Sequence, residues 1–519
     1  MKIPAPAFVL VLVGVACAEL APPERSYKIL MLLPVSSKSH RNVFMPVAEG
    51  LADRGHKIVM LANNPPASKH PNIEEFDHDL PDFKVEGMDL FATRADPSGV
   101  FNLFQKALPE IAKKLYKVPV VKELYDRRKE FDVVVIDHMF NEVVYPFAHE
   151  MPFITIATPG MDSRQSAVLG NVLNPAYAPS LMKSYPLPMG MLHRFLNAVE
   201  HIMSAVNWRH LDVLPPVQKE ISAQFPDLPS LLDIERNQSL TLLNSHFTMN
   251  GVLPLLPSQV EVGAMHCRPG KPLPEDLESW ISGAGSEGVV YFSLGTVAQG
   301  HSMPKKYRDM FVEAFKKIKQ RVIWKYEVEL EGISDNVLMR KWLPQQDILA
   351  HPNVKVFITH GGLLSTQESF YHSTPVLAVP IFGDQPKNGL NIQDSGLGLM
   401  LVWEELTVDL IVNSLQEIIS NPKYETTAAE VQSSLRDQPD SPKDRAVFWT
   451  EYVIRHKGAP RLRSPAAKLS WVEYLMLDVL LALHVAVFVA LYVLRRVLGA
   501  IASRVFGSQT TGKKKKKRE

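Results

Sequence analysis

The chain has 519 residues, 46% of them hydrophobic and 8% aromatic, with a formal net charge of +1. That length exceeds one ordinary core and predicts two or more domains in a globular protein with a sizeable interior. The charge is unevenly spread: residues 495–519 hold nine Lys/Arg against one Glu, whereas residues 19–494 hold 46 basic against 54 acidic side chains. The body is therefore mildly acidic and shows no basic face for nucleic acid, which is excluded as a partner.

Along the chain, Lys2, the apolar run 8–15 and Ala16-Cys17-Ala18 read as a secretory signal over residues 1–18. Its removal takes Cys17 and leaves Cys267 alone, so no internal disulfide forms. A strand over 28–34, a loop over 35–39, a helix over about 42–54 and a strand over 57–62 make a βαβ opening that predicts a parallel sheet. Further apolar strands follow at 131–136 and 153–157, with a charged helix at 122–129 before the first. Residues 160–235 read as helical and irregular, rich in Met, Pro and Asn. The sequon Asn237-Gln238-Ser239 can carry a glycan in a secretory lumen. A proline-rich link over 254–274 precedes a second α/β run with strands at 289–293, 321–325, 337–340, 356–359 and 376–380. Two doubly wound halves facing each other place the carboxyl ends of both sheets along one cleft, where ligands of such sheets bind.

Residues 356–385, V-F-I-T-H-G-G-L-L-S-T-Q-E-S-F-Y-H-S-T-P-V-L-A-V-P-I-F-G-D-Q, carry the most information. A strand enters a Gly-Gly turn at a helix N-terminus, which turns backbone N–H groups and a positive dipole end outward and suits a diphosphate. His360 adds a side-chain donor, Gly362 tightens the turn, Glu368 lies about two turns further on, and Asp384-Gln385 follows the next strand. Phosphate, diol and sugar hydroxyls each find a partner there. Upstream, His40 follows the first strand and Asp137 ends the strand V-V-V-I-D; alone they read as a surface or capping histidine and a helix N-cap. His138 competes with His40 as partner of Asp137, but neighbouring side chains point apart.

The 356–385 block resembles the signature of membrane-bound UDP-glycosyltransferases, and its H-G-G-L-L-S-T-Q-E wording is closest to insect members. The resemblance runs over nearly the whole chain. It implies a GT-B fold of two facing Rossmann-like domains, with an acceptor domain over 19–265 and a UDP-sugar domain over 266–470. It also implies His40 as general base oriented by Asp137. For the donor, it implies phosphate contacts from Ser293, Gly295, Thr296, His360, Gly362 and Ser365. Trp342 would stack on uracil, Gln345 and Glu368 would hold the ribose, and Asp384 and Gln385 the sugar. The reaction so implied inverts the donor and glycosylates a hydroxyl of a small lipophilic acceptor whose pocket the 160–235 region shapes. UDP-sugar is a co-substrate; no cofactor and no metal is expected, and no D-x-D pair stands at a strand end. Two departures qualify the carry-over. Leu364 stands where several relatives have a polar residue, leaving Ser365 to serve, and Leu253 stands where relatives often have Arg, which favours UDP-glucose over UDP-glucuronate. A glucuronosyltransferase and a non-catalytic nucleotide-sugar binder stay open as alternatives, as does a homo-oligomer.

Near the C-terminus, residues 474–494 are apolar and long enough to cross the hydrocarbon core, interrupted by Asp478 and His484. Taken with Trp471, the predicted transmembrane segment is 471–494. Arg495 and Arg496 follow, so the positive-inside rule puts the 495–519 tail in the cytosol and the body in the lumen. Lys516 and Lys517, fourth and third from the end, resemble the dilysine retrieval signal of single-pass type I proteins of the endoplasmic reticulum membrane.

Overall fold

The computed structural model describes residues 20–80, 90–95, 97–181, 183–296 and 298–514. The signal segment 1–18 and the lysine pair Lys516-Lys517 lie outside the described residues. Two parallel sheets organise the chain up to Arg463. The first contains β1 (Lys28–Leu33), β2 (Lys57–Ala62), β3 (Ile73–Asp77), β4 (Val133–Asp137), β5 (Phe153–Ala157), β6 (Leu240–Leu243) and β7 (Gln259–Glu261), in the order β3-β2-β1-β4-β5-β6-β7. The second contains β8 (Val289–Ser293), β9 (Arg321–Lys325), β10 (Val337–Arg340), β11 (Val354–Thr359), β12 (Val376–Ala378) and β13 (Gly398–Met400), in the order β10-β9-β8-β11-β12-β13. The topology is that of two doubly wound lobes, as the sequence predicts.

Burial on both faces explains why the central strands are unbroken apolar runs. In β1 and β4, Leu30, Leu32, Val134 and Ile136 pack into one core, while Met31, Leu33, Val133 and Val135 pack into another on the opposite face. Several strand limits follow the sequence expectation, but the helix after β1 starts earlier, spanning Lys38–Asp53 with Ser37 as its N-cap. His40 therefore sits in its first turn rather than before it. Strands β3, β6, β7 and β13 add to those predicted, β7 inside the proline-rich link.

Each lobe also takes a helix from the other half of the sequence. The Pro442–Arg455 helix buries Ala446, Val447, Val453 and Ile454 in the core of the first lobe. It approaches the Lys38–Asp53 helix at Gly50, where an added Cβ would lie 2.8 Å from Val447 Cγ2. Glu451 of the returning helix accepts from Arg54 Nε at 2.6 Å and lies 2.9 Å from His56 Nε2. In the other direction, Leu90 of the Leu90–Ala95 helix is buried among Phe292, Trp324 and Trp403 of the second lobe. Phe91 meets Trp403 edge-on and Arg94 pairs with Glu404.

Residues 464–514 form a separate unit. Ser470 and Glu473 close a capping box on the short Trp471–Tyr474 helix. Met476, at φ +52°, breaks the path before a 38-residue helix, Leu477–Lys514. Its stretch Leu477–Val505 is long and apolar enough to cross a membrane.

Burial raises the Glu451 carboxyl, but His56 and Arg54 outweigh it and hold the group down at about 2. Its contribution to stability is thus present above the ordinary carboxylate range and is lost only as pH falls through about 2. Glu451→Ala strands the guanidinium groups of Arg54 and of Arg455, which pairs with it at 3.0 Å, and is expected to destabilise the fold by about 3 kcal/mol, read as a lower thermal midpoint.

Candidate active site

In both sheets the strand order reverses beside the first strand, between β1 and β4 and between β8 and β11, each hydrogen-bonded in parallel register. A doubly wound sheet opens a crevice at that point, because the flanking crossovers leave on opposite faces. His40 follows β1 and Asp137 ends β4; Ser293 ends β8 and His360 follows β11. The two crevices share one cavity of about 400 Å³, lined by His40, Ser293, Gly295, Thr296, Trp342, Gln345, His360, Gly362, Ser365, Glu368, Asp384 and Gln385. Every expected donor residue is therefore on one wall system, opposite His40.

On the first-lobe side, His40 Nδ1 lies 2.5 Å from Asp137 Oδ2. Asp137 is fully buried, and its Oδ1 accepts from Met139 N at 3.1 Å and from the Thr158 hydroxyl at 3.2 Å. These contacts keep the carboxylate an acceptor, so Nδ1 carries the proton and Nε2 is the basic nitrogen. Burial pulls the His40 imidazole down, but Asp137, by charge and hydrogen bond, and Asp384 across the cavity raise it above its ordinary value.

On the second-lobe side the imidazole of His360 is clamped between glycines. A Cβ on Gly295 would lie 2.8 Å from His360 Cε1, and one on Gly362 would lie 2.5 Å from His360 Nε2. Burial and the nearby Lys325 ammonium push His360 down to about 4, so it is a neutral donor at physiological pH. Gly362 caps the Leu363–Tyr371 helix, which presents Ser365 and Glu368. Gln345 donates to Glu368 Oε2 at 2.6 Å and to Ser365 Oγ at 3.0 Å, and accepts from the Tyr291 hydroxyl at 3.1 Å. Burial raises Glu368 to about 7 despite Gln345 and Arg268. The Trp342 indole is 73% exposed on the cavity wall. The Ser293 hydroxyl accepts from Gly295 N at 3.2 Å, closing its own turn, and Thr296 is exposed beside it. Asp384 caps the Gln385–Asp394 helix and accepts from Asn388 at 2.8 Å; Gln385 Oε1 accepts from Ile381 N and Phe382 N.

His138 stands apart from the pair: its Nε2 lies 3.8 Å from Asp162. Asn237 is exposed, away from the cavity lining, with Arg463 donating to its backbone carbonyl at 2.8 Å. Leu364 lines the cavity and Leu253 does not. Sequence reasoning missed Thr158, just past β5, and Lys325, the last residue of β9, whose Nζ donates to Gly295 O at 3.0 Å. Both are polar residues at the carboxyl end of a parallel strand, which is the signal that finds them.

The sequence pattern of the family described as UDP-glucoronosyl and UDP-glucosyl transferase matches residues 29–516. The chain is 36% identical over 508 residues to UDP-glycosyltransferase UGT5 of Dactylopius coccus, with 95% of this chain and 96% of that protein covered. It is 29% identical to UDP-glucuronosyltransferase 2B14 of Oryctolagus cuniculus, with 83% and 85% covered. Among solved structures, the calicheamicin glycosyltransferase CalG4 superposes with a TM-score of 0.55 at 16% identity, over 83% of this chain and 99% of that one. That likeness establishes the GT-B fold.

Two outcomes are expected of this geometry. Gly362→Ala drives a methyl into the His360 ring and should weaken UDP binding by about tenfold or more in calorimetry, with circular dichroism unchanged. UDP binding should tighten as pH rises through about 7, where Glu368 ionises and becomes a pure acceptor, and Glu368→Gln should flatten that dependence.

Proposed function

This chain belongs to the UDP-glucoronosyl and UDP-glucosyl transferase family and is a UDP-sugar glycosyltransferase, and from that premise we propose a specific reaction. It transfers glucose from UDP-glucose to a hydroxyl of a small lipophilic acceptor, in one displacement, with His40 as general base and Asp137 as its orienting partner. The observation that carries this reading is the His40 Nδ1–Asp137 Oδ2 contact of 2.5 Å at the wall of the cavity that also holds the donor residues.

In this reading Nε2 of His40 takes the acceptor hydroxyl's proton as its oxygen attacks the anomeric carbon. The bond to the β-phosphate oxygen breaks on the opposite side, and UDP leaves with the electron pair. Asp137 stabilises the imidazolium as it forms. The N-terminus of the Leu363–Tyr371 helix and the neutral His360 donor meet the diphosphate, with no metal required. Trp342 offers its face to uracil, Glu368 accepts from the ribose diol, and Asp384 and Gln385 hold the sugar.

Glucose is favoured over glucuronate because no arginine lines the cavity among the described residues, and Lys325 is paired with Glu327 at 2.8 Å. An apolar acceptor is favoured by the first-lobe wall of Leu103, Phe104, Met139, Phe140 and Leu181. We place the enzyme as a single-pass type I protein of the endoplasmic reticulum, with the catalytic lobes luminal, on the strength of the apolar Leu477–Val505 stretch and the basic residues that end the chain.

His40→Ala should lower kcat by about a hundredfold or more while UDP still binds. In the parent enzyme kcat should rise with pH through a midpoint above about 6.5, because the base must be neutral and its pKa is raised. Assays with UDP-glucose and UDP-glucuronate on a panel of phenolic acceptors complete the test. Undiminished turnover in His40→Ala, or faster transfer of glucuronate, contradicts the reading.

A further inference from the structure

We propose that the donor-binding helix positions the catalytic pair through a buried relay, Gln367–Asn244–Thr158, which makes these three residues positioning residues for the reaction. The inference rests on the reading of His40 and Asp137 given above.

The relay begins on the second lobe. On the Leu363–Tyr371 helix, Ser365 and Glu368 turn to the cavity, whereas Gln367 turns to the first lobe and donates through Nε2 to the backbone carbonyl of Asn244 at 3.1 Å. Asn244 directly follows β6, and its own N–H donates to Ala157 O at 3.1 Å, continuing the pairing of β5 with β6. Its side-chain amide donates to Thr158 O at 2.9 Å. The Thr158 hydroxyl in turn donates to Asp137 Oδ1 at 3.2 Å and lies 3.1 Å from His40 Nδ1. Gln367 and Asn244 are fully buried, and Thr158 is nearly so at the cavity wall.

The chemistry of the links suits alignment better than adhesion. The amide oxygens of Gln367 and Asn244 are buried with no hydrogen-bond partner among the described residues, which offsets much of what the two donated bonds contribute. What the chain of donors does specify is direction. Thr158, together with the Met139 N–H, fixes the rotation of the Asp137 carboxylate by holding the oxygen that His40 does not use. Asn244 fixes the strand-end backbone that carries Thr158, and Gln367 ties that backbone to the helix bearing Ser365 and Glu368. A helix displaced from its donor-binding position therefore pulls on the carboxylate that orients the base. Positions of reacting groups matter steeply: a misplacement of about 1 Å costs on the order of a hundredfold in rate.

The test uses the full-length enzyme in microsomes, with kcat, donor KM and the pH dependence of kcat measured for Gln367→Met, Thr158→Val, Thr158→Ser, the double variant Gln367→Met/Thr158→Val and His40→Ala. Gln367→Met and Thr158→Val should each lower kcat about tenfold, with donor KM within about twofold, which marks an interaction felt in the transition state only. In both, the acid-side midpoint should fall towards about 6.5, because Asp137 is held less firmly against Nδ1. Thr158→Ser, which keeps the hydroxyl, should recover most of the loss. The double variant should be no slower than the slower single one, as members of one relay are not additive. Parent-like kcat in Gln367→Met, a change confined to KM, or losses that multiply in the double variant would overturn the relay. Should Gln367→Met fail to accumulate as UDP-binding protein, the Thr158 pair decides: equal kcat for Val and Ser overturns it. Turnover surviving in His40→Ala instead removes the base assignment itself, a different outcome from an inactive His40→Ala beside an unimpaired Gln367→Met.

Discussion

The constraint on which this protein depends is topological. A parallel sheet wound in both directions has one place where adjacent crossovers diverge, and ligand chemistry collects there because backbone ends and side chains converge without blocking one another. Here two such places, β1/β4 and β8/β11, open onto one cavity. His40 and Asp137 stand at the first, and Ser293, Gly295 and His360 at the second. The exchanged helices, Leu90–Ala95 to the second lobe and Pro442–Arg455 to the first, brace the lobes against each other in both directions. Both helices bury apolar side chains in the lobe they join, so core packing sets the position of one crevice relative to the other.

The same cavity drives two histidines to opposite protonation behaviour. His40 has a buried carboxylate on its inner nitrogen and a second acid across the cavity, and is raised. His360 is wedged between glycines, has the Thr359 hydroxyl 3.4 Å from its Nδ1, lies near a lysine, and is pushed down to about 4. One is fitted to accept a proton and the other to donate a hydrogen bond while uncharged, and environment rather than residue type makes the difference. The glycines at 295 and 362 contribute by being too small to displace the ring.

Much of this was legible in the sequence because it is local. Strands buried on both faces are continuous apolar runs, so β2, β5, β8 and β9 are readable to the residue. A polar residue closing such a run, as Asp137 does, marks the cleft end. The edge strand β3, I-E-E-F-D, is half-buried and acidic and carries no such run. Strands β6, β7 and β13 have four, three and three residues, too short for a period to emerge. The cap at Ser37 hid the true helix start among serines that also read as loop. The destination of Pro442–Arg455 was not legible either, since amphipathicity tells which side of a helix is buried but not against which sheet. Thr158, Asn244 and Gln367 depend on strand adjacency and lobe contact, which no local pattern encodes.

The proposed reaction is a single displacement across the interlobe cavity, with the acceptor oxygen arriving from the His40 side as UDP departs on the other. The stereochemistry of the product tests it most directly. Proton NMR of the glycoside formed from UDP-α-glucose should show the β anomer alone. An α-glycoside would require a covalent sugar–enzyme intermediate or front-face attack, and would contradict an account in which one imidazole base serves one inverting step.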